Sequence, residues 1–293
     1  MTETIGVIGL GIMGGAIARN LARAGHRVIG FDLDAARVEA LGDAGVTAAA
    51  TASDLAAQAG IVLVCLPHVA ALEATVATLT AAAPYVAPPV VAELSTLPLD
   101  AKLAARDALA DAGIALLDCP LSGTGAQAVT GDLSVFASGD EIAWERCADA
   151  FAGFARVCHY LGPFGNGTKM KLVANLLVAI HNVAAAEAVL LGLRAGLDPA
   201  SLVAVAGSGA GASRMLEMRG PMMVKGKFTP ATMKLDVWKK DMALIADFAA
   251  RCGAATPLFA ATAPLYEQAC AAGLGESDTA AVFTVLAAMS AKP

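Results

Sequence analysis

The chain has 293 residues, enough for two domains or one large one. Hydrophobic residues make up 57% and charged residues 16%, which excludes a disordered chain and predicts that some apolar surface is buried between subunits, as in a homodimer or homotetramer. The net charge of −6 argues against a nucleic-acid partner, which would call for a basic face.

Thr4–Ile8 reads as a short apolar strand, with no basic stretch or cleavage pattern ahead of it, so no signal peptide is expected. It leads into Gly9-Leu10-Gly11-Ile12-Met13-Gly14, then a helix over Ala16–Ala24 ended by Gly25, then a strand over Arg27–Phe31 with Asp32 at its end. A glycine pattern alone would be weak. Strand, glycine turn, helix, strand and acid together are the context of a dinucleotide site. The first glycine permits the tight turn, the second lets a pyrophosphate approach the backbone, and amides at the helix start face the phosphates. Asp32 can accept hydrogen bonds from the adenosine ribose and would repel a 2′-phosphate, which favours NAD. Arg37, one turn into the following helix, leaves room for NADP.

Further strands are predicted at Ile61–Leu66, Val90–Leu94, Ile114–Asp118, Leu133–Ser138 and Val157–Leu161, separated by helices such as Leu99–Ala112. This alternation predicts one doubly wound parallel sheet of six or seven strands, with ligands beyond the strands' carboxyl ends. Three polar clusters stand there: Pro67-His68, Ser95-Thr96, and Ser122-Gly123-Thr124-Gly125 after Asp118. Ser95 and Thr96 also read as ordinary helix caps, and Ser122–Gly125 as a polar loop whose amides and hydroxyls suit a carboxylate. His68 is an acid–base candidate by residue type, but Pro67 marks an exposed turn.

Gly165 and Gly167 punctuate a change of pattern, after which nearly everything reads as helix. The apolar run Leu172–Leu193 would be about 33 Å long as a helix. Asn175, His181, Asn182 and Glu187 interrupt it, and aromatic anchors are lacking, so it reads as a buried interior helix rather than a membrane span. Asp198-Pro199 opens the next helix, Gly207–Gly211 is a flexible break, and Met222–Thr232 reads as loop. Helices are predicted at Leu235–Cys252, Leu258–Ala272 and Thr279–Ser290. The six cysteines lack C-x-x-C spacing and any zinc pattern, so no metal is expected, and a reducing cytoplasm fits. Cys65 and Cys119 lie in strand-like runs as small buried hydrophobes.

Lys171 and Asn175 are four residues apart and so stack on one helical face. By itself Lys171 reads as a solvated lysine. Near the start of a helix, at an expected domain junction, both the helix dipole and burial would favour its neutral amine, which can exchange a proton.

Four ordered motifs resemble the β-hydroxyacid dehydrogenase family over nearly the whole chain. Gly9–Gly14, with Asn20-Leu21 and Gly25, looks like its G-L-G-x-M-G cofactor motif. Asp118-Cys119-Pro120-Leu121-Ser122-Gly123, followed by Gly131-Asp132-Leu133, resembles its D-x-P-x-S-G-G substrate motif. Gly165-x-Gly167 through Lys171 and Asn175 resembles its G-x-G-x-x-x-K-x-x-x-N motif, and Lys240-Asp241 its C-terminal K-D. The resemblance implies a Rossmann-type domain over residues 1–162 and an all-α domain over 163–293, entered by an interdomain helix over 167–194. It implies Lys171 as general acid/base with Asn175 beside it, and Ser122, Gly123, Thr124 and Asn175 on the substrate. Ser95 and Thr96 would lie near the nicotinamide end. The expected cofactor set is Gly9, Gly11, Ile12, Met13, Gly14, Asp32, Leu66, Pro67, Thr96 and Lys240. Thr124 stands where the family has a second glycine, Gln127 and Val129 where small residues are common, and Met233 where a phenylalanine is usual; these positions bear on substrate choice. The expected activity is hydride transfer between NAD and a small 3-hydroxy acid, 3-hydroxyisobutyrate-like or 2-hydroxy-3-oxopropanoate-like. The alternatives are an imine- or amino-alcohol-directed oxidoreductase, or a dinucleotide-binding module without chemistry. Both would be expected to lose Lys171, or in the second case Asn175, and neither residue is lost.

Overall fold

The computed structural model describes residues 3–290. In chain order the first part contains β1 (Ile5–Ile8), α1 (Ile12–Arg23), β2 (Val28–Phe31), α2 (Ala35–Glu39), β3 (Val46–Ala48), α3 (Ala52–Gln58), β4 (Ile61–Val64), α4 (Val69–Ala81), β5 (Val90–Glu93), α5 (Leu99–Asp111) and β6 (Ala115–Asp118). Then come β7 (Leu121–Ser122), α6 (Gly125–Val129), β8 (Ser134–Ala137), α7 (Glu141–Ala152) and β9 (Val157–Tyr160). The rest is helical: α8 (Asn166–Arg194), α9 (Pro199–Ala206), α10 (Arg214–Lys225), α11 (Leu235–Arg251), α12 (Pro257–Ala271) and α13 (Val282–Met289), with a short 3-10 turn at Thr279–Ala281.

Six strands form a parallel sheet in the order β3-β2-β1-β4-β5-β6. β4 is buried along its whole length because helices cover both faces, which is why Ile61-Val62-Leu63-Val64 is continuously apolar. One core holds Val7, Ile17, Leu21 and Phe151; the other holds Ile8, Leu55, Val62 and Leu79. The strand order reverses direction between β1 and β4, where such a sheet opens a crevice for a dinucleotide.

The expectation of one sheet with up to seven strands is corrected in two ways. β3, a three-residue edge strand with one buried residue, is too short to show a period. The strands near 133 and 157 leave the parallel sheet and form a second one, β7-β8-β9, antiparallel between β7 and β8 and parallel between β8 and β9. Alternation marks a strand but not its partner, and the two-residue β7 that turns the chain back carries no period. The two sheets are tied where Asp118 and Ser138 exchange both backbone bonds, at 2.9 and 2.8 Å.

The chain divides into two compact units, Met1–Lys171 and Leu172–Pro293. The division lies within α8, whose first turn is bonded to the ends of β6 and β8. The second unit is all α, with Leu172, Val183, Val189, Trp238, Ile245 and Tyr266 in its core. By length and composition α8 could cross a membrane. Instead its Asn182 donates to Tyr266 Oη at 3.0 Å and to the Thr279 carbonyl at 2.9 Å within that core. The stretch expected as loop from Met222 is helical to Lys225: α10 continues past Pro221 and stops at Gly226, whose φ of 61° ends the helix.

Candidate active site

The turn after β1 fits a dinucleotide at its backbone. Gly9 has φ 86°, which favours glycine, and a Cβ there would strike the Cys65 carbonyl oxygen. A Cβ on Gly14 would strike the carbonyl of Gly9, so α1 can approach the turn only with glycine there. Around Gly11 there is space: a Cβ would have only Arg37 Nη1 near it, at 3.8 Å. Gly11 is also the N-cap of α1 and supplies no side-chain cap, so the helix start keeps its amides for an anion. Ile12 in the first turn is exposed, and Met13 packs against the core beneath.

Asp32 lies at the end of β2 and faces this turn. Its Oδ2 accepts from the Leu10 amide at 2.6 Å and its Oδ1 from the Asp34 amide at 2.9 Å. Arg37 Nη1 stands 3.5 Å from Asp32 Oδ2, so the two groups that bear on a 2′-phosphate oppose each other in one pair. Beyond β4, Leu66 donates its amide to Ser95 Oγ at 2.8 Å, and Pro67 is exposed. His68 is the N-cap of α4, its Nδ1 accepting from the Ala71 amide at 3.1 Å, which accounts for it structurally. Ser95 is held from three sides; Thr96, next to it, is half-buried.

The expected substrate loop is more ordered than a polar loop. Ser122 ends β7, and Gly123 has φ 142° with Leu133 against the place a Cβ would take. Thr124 caps α6 in a capping box with Gln127, whose side-chain nitrogen reaches Asp132 Oδ2 at 3.0 Å. Two residues that depart from the family pattern therefore hold each other. Gly125 lies against Ile12, which joins this loop to the glycine turn.

α8 starts in a socket. The Gly167 amide donates to Ser138 Oγ at 2.9 Å, and the Thr168 amide and hydroxyl donate to Asp118 Oδ2 and Oδ1, both at 2.7 Å. A Cβ on Gly167 would strike the carbonyls of Phe136 and Asp118, which explains the second glycine of the motif. Lys171 follows one turn on, 8% exposed, and Asn175 one turn further, 4% exposed. In the second unit Asn175 Nδ2 donates to Asp241 Oδ2 at 3.0 Å, while Lys240 Nζ pairs with Asp241 Oδ1 at 3.0 Å.

Glu93 and Lys102 escaped the sequence reading. Both side chains are fully buried, and Lys102 Nζ lies 2.6 Å from Glu93 Oε2 and 2.8 Å from Asp118 Oδ1. Burial would push the Lys102 amine down, but Asp118 and Glu93 outweigh it and hold the amine above its ordinary value, protonated. A signal was present: Lys102, Ala105 and Leu109 share the buried face of α5 at helical spacing. Burial, with Glu93 second, pushes the Cys65 thiol up, and burial likewise raises Cys119, so neither is an activated nucleophile. Among the described residues no group of His, Cys, Asp or Glu is arranged to hold a metal ion.

Comparison with known proteins matches these features across the chain. Residues 4–162 match the family model of the NAD binding domain of 6-phosphogluconate dehydrogenase. Residues 165–286 match the model described as NAD-binding of NADP-dependent 3-hydroxyisobutyrate dehydrogenase. L-threonate dehydrogenase of Cupriavidus necator is 35% identical over 97% of this chain and 96% of its own. The structure of 3-hydroxyisobutyrate dehydrogenase from Mycobacterium tuberculosis, solved with L-serine, superposes with a TM-score of 0.87 at 27% identity, covering 98% of this chain and 99% of that one. The protein Psf3, solved with NADP+ and 2-OPP, superposes at 0.84 with 25% identity, over 96% of this chain and 99% of its own. An open glycine turn, an acid at the end of β2 and matching sequence over both units lead to one conclusion: the chain belongs to the β-hydroxyacid dehydrogenase family and is an NAD(P)-dependent hydroxyacid dehydrogenase.

Proposed function

We propose that this enzyme transfers a hydride between NAD and a small 3-hydroxy acid of the 3-hydroxyisobutyrate or 2-hydroxy-3-oxopropanoate kind, with Lys171 as general acid/base. The observation that carries the reading is a buried lysine one turn from a buried asparagine, on a helix whose start is locked to two strand ends. The nicotinamide ring, when bound, accepts or donates the hydride. The amines and amides of the chain do the rest. In oxidation the neutral Lys171 amine takes the hydroxyl proton as the carbonyl forms, and in reduction its ammonium returns it. Asn175 has its side-chain nitrogen committed to Asp241, which leaves its oxygen to orient the substrate hydroxyl. Ser122 and the Gly123 amide are suited to the carboxylate, with Thr124 at the edge of that loop.

L-Threonate, a four-carbon acid with a hydroxyl on every carbon after the carboxylate, joins the substrate candidates through the Cupriavidus necator relative. The experiment is NADH formation by purified protein across 3-hydroxyisobutyrate, L-threonate and related acids, with 2-hydroxy-3-oxopropanoate tested in reduction. Failure of every acid to turn over would sink the reading. Asn175→Ala should change both kcat and KM, as a positioning group does. Exposed Val173, Leu177 and Leu191 along α8 support a homodimer or homotetramer, and a monomer in sedimentation at micromolar concentration would remove that expectation. Free cysteines support a reducing cytoplasm as its location.

A further inference from the structure

Lys102 contacts no side chain assigned above to cofactor or substrate. Its amine donates to the Ser95 carbonyl at 2.7 Å and to Asp118 Oδ1 at 2.8 Å, and it forms an ion pair with Glu93 Oε2 at 2.6 Å. These partners lead in two directions. Glu93 Oε1 accepts from the Ser95 amide at 2.9 Å, so the amide and carbonyl of Ser95 are both held by the Lys102–Glu93 pair. Ser95 Oγ in turn accepts from the Leu66 amide, which fixes the Ser95–Thr96 segment to the end of β4. In the other direction, Asp118 takes the amide and hydroxyl of Thr168, and Ser138 takes the amide of Gly167. Lys171 stands one turn beyond Thr168.

The charges are arranged to match. One protonated amine between two buried carboxylates leaves an excess negative charge, and that charge faces the start of α8, where the helix carries about half a positive charge. Lys102 and α8 thus share Asp118 between them. Without the amine, two buried carboxyl groups would face each other with no counter-charge between them. A buried ion cluster that served stability alone could be replaced by apolar residues at little loss. This one ends on the two segments that frame the chemistry of the first unit.

We propose that Lys102 is a positioning residue for the dehydrogenase reaction: it sets the first turn of α8, and with it the Lys171 amine, against the Ser95–Thr96 segment. The inference rests on the reading of Lys171 as the acid/base.

The test is steady-state kinetics on Lys102→Met, Thr168→Val and the double variant, with Lys171→Ala as reference and active sites counted by cofactor titration. Cofactor Kd should stay within about twofold in Thr168→Val, whose bonds reach neither the glycine turn nor the Ser95–Thr96 segment. Lys102→Met should lower kcat roughly tenfold to a hundredfold, the size of loss that a misplacement of about an ångström produces. Thr168→Val should lose less, and the double variant should be little worse than Lys102→Met, because links of one chain are not additive. Lys102→Met should keep the basic limb of the pH profile of kcat/KM, at reduced height, whereas Lys171→Ala should lose that limb. Folded Lys102→Met with native kcat, or a double variant whose losses simply add, overturns the inference. If Lys102→Met does not fold, Thr168→Val decides: lower kcat at unchanged cofactor Kd supports the proposal, and native kcat overturns it. Native turnover in Lys171→Ala would remove the premise itself. An inactive Lys171→Ala beside a native Lys102→Met would overturn only the role of Lys102.

Discussion

Two helices begin in the first unit at glycine turns, and they use their first amides in opposite ways. α1 begins at Gly11 with no side-chain cap and open space where a Cβ would be. α8 begins with Gly167 pressed against two carbonyls and with its first amides taken by Ser138 and Asp118. The first start is suited to hold an anion from outside, because its donors are unspent. The second is closed to anions and acts as a fixed post. The two glycines look alike in the sequence; one leaves room suited to a ligand, and the other makes room for the protein's own backbone.

The largest expected effect removes the residue proposed as the acid/base. Lys171→Ala should lower kcat by a factor on the order of 10²–10⁴ and leave cofactor Kd nearly unchanged, measured by turnover and cofactor titration. A variant that keeps most of its turnover would return Lys171 to an ordinary buried lysine. Next come the two glycines, compared directly. Gly11→Ala should leave Tm within a degree or two while weakening cofactor binding by roughly tenfold or more, about 1.4 kcal/mol. Gly167→Ala should do the reverse: it should destabilise the fold by about 1–3 kcal/mol through overpacking and lower kcat, with cofactor Kd preserved in the folded fraction. Equal losses of cofactor affinity in both would erase the distinction between the two helix starts.

A smaller effect concerns the open start. Asp32→Ala removes the carboxylate that holds the Leu10 amide and faces Arg37, and should narrow the gap in kcat/KM between NAD and NADP. Finding that the unmodified enzyme already prefers NADP would contradict the role of Asp32. The smallest effect is a pH dependence of the closed start. Asp118 and Glu93 hold the Lys102 amine above its ordinary value against the cost of burial. A base whose folded value is raised contributes stability that is fully present below its unfolded value, about 10.4, and lost as pH rises through the folded one. Tm should therefore be insensitive to Lys102 titration between about pH 6 and 9 and begin to fall above about pH 10.4. Lys102→Met should lack that alkaline component.

Much of the site was legible because it is written in local pattern. The glycine turn, Asp32 at the end of its strand, and Lys171 with Asn175 on one helical face all follow from spacing along a single element. Thr124 was expected on the substrate and, with Gln127, was seen as a departure from the family pattern; their mutual capping became visible once α6 formed. Lys102 was passed over because a lysine in a helix is most often solvated, and its partners lie at sequence distances of nine and sixteen residues.

Element order, the parallel sheet and the helical second unit were determined by hydrophobic period and backbone freedom, which are properties of neighbours along the chain. Pairing was decided elsewhere. That the strands at Ser134 and Val157 leave the main sheet, that Asp118 meets Ser138 and Thr168, and that Lys102 completes the cluster all depend on which groups tertiary contacts bring into one dry space. Inside that space an unpaired charge is costly, so each polar group there is defined by its partner rather than by its neighbours in sequence.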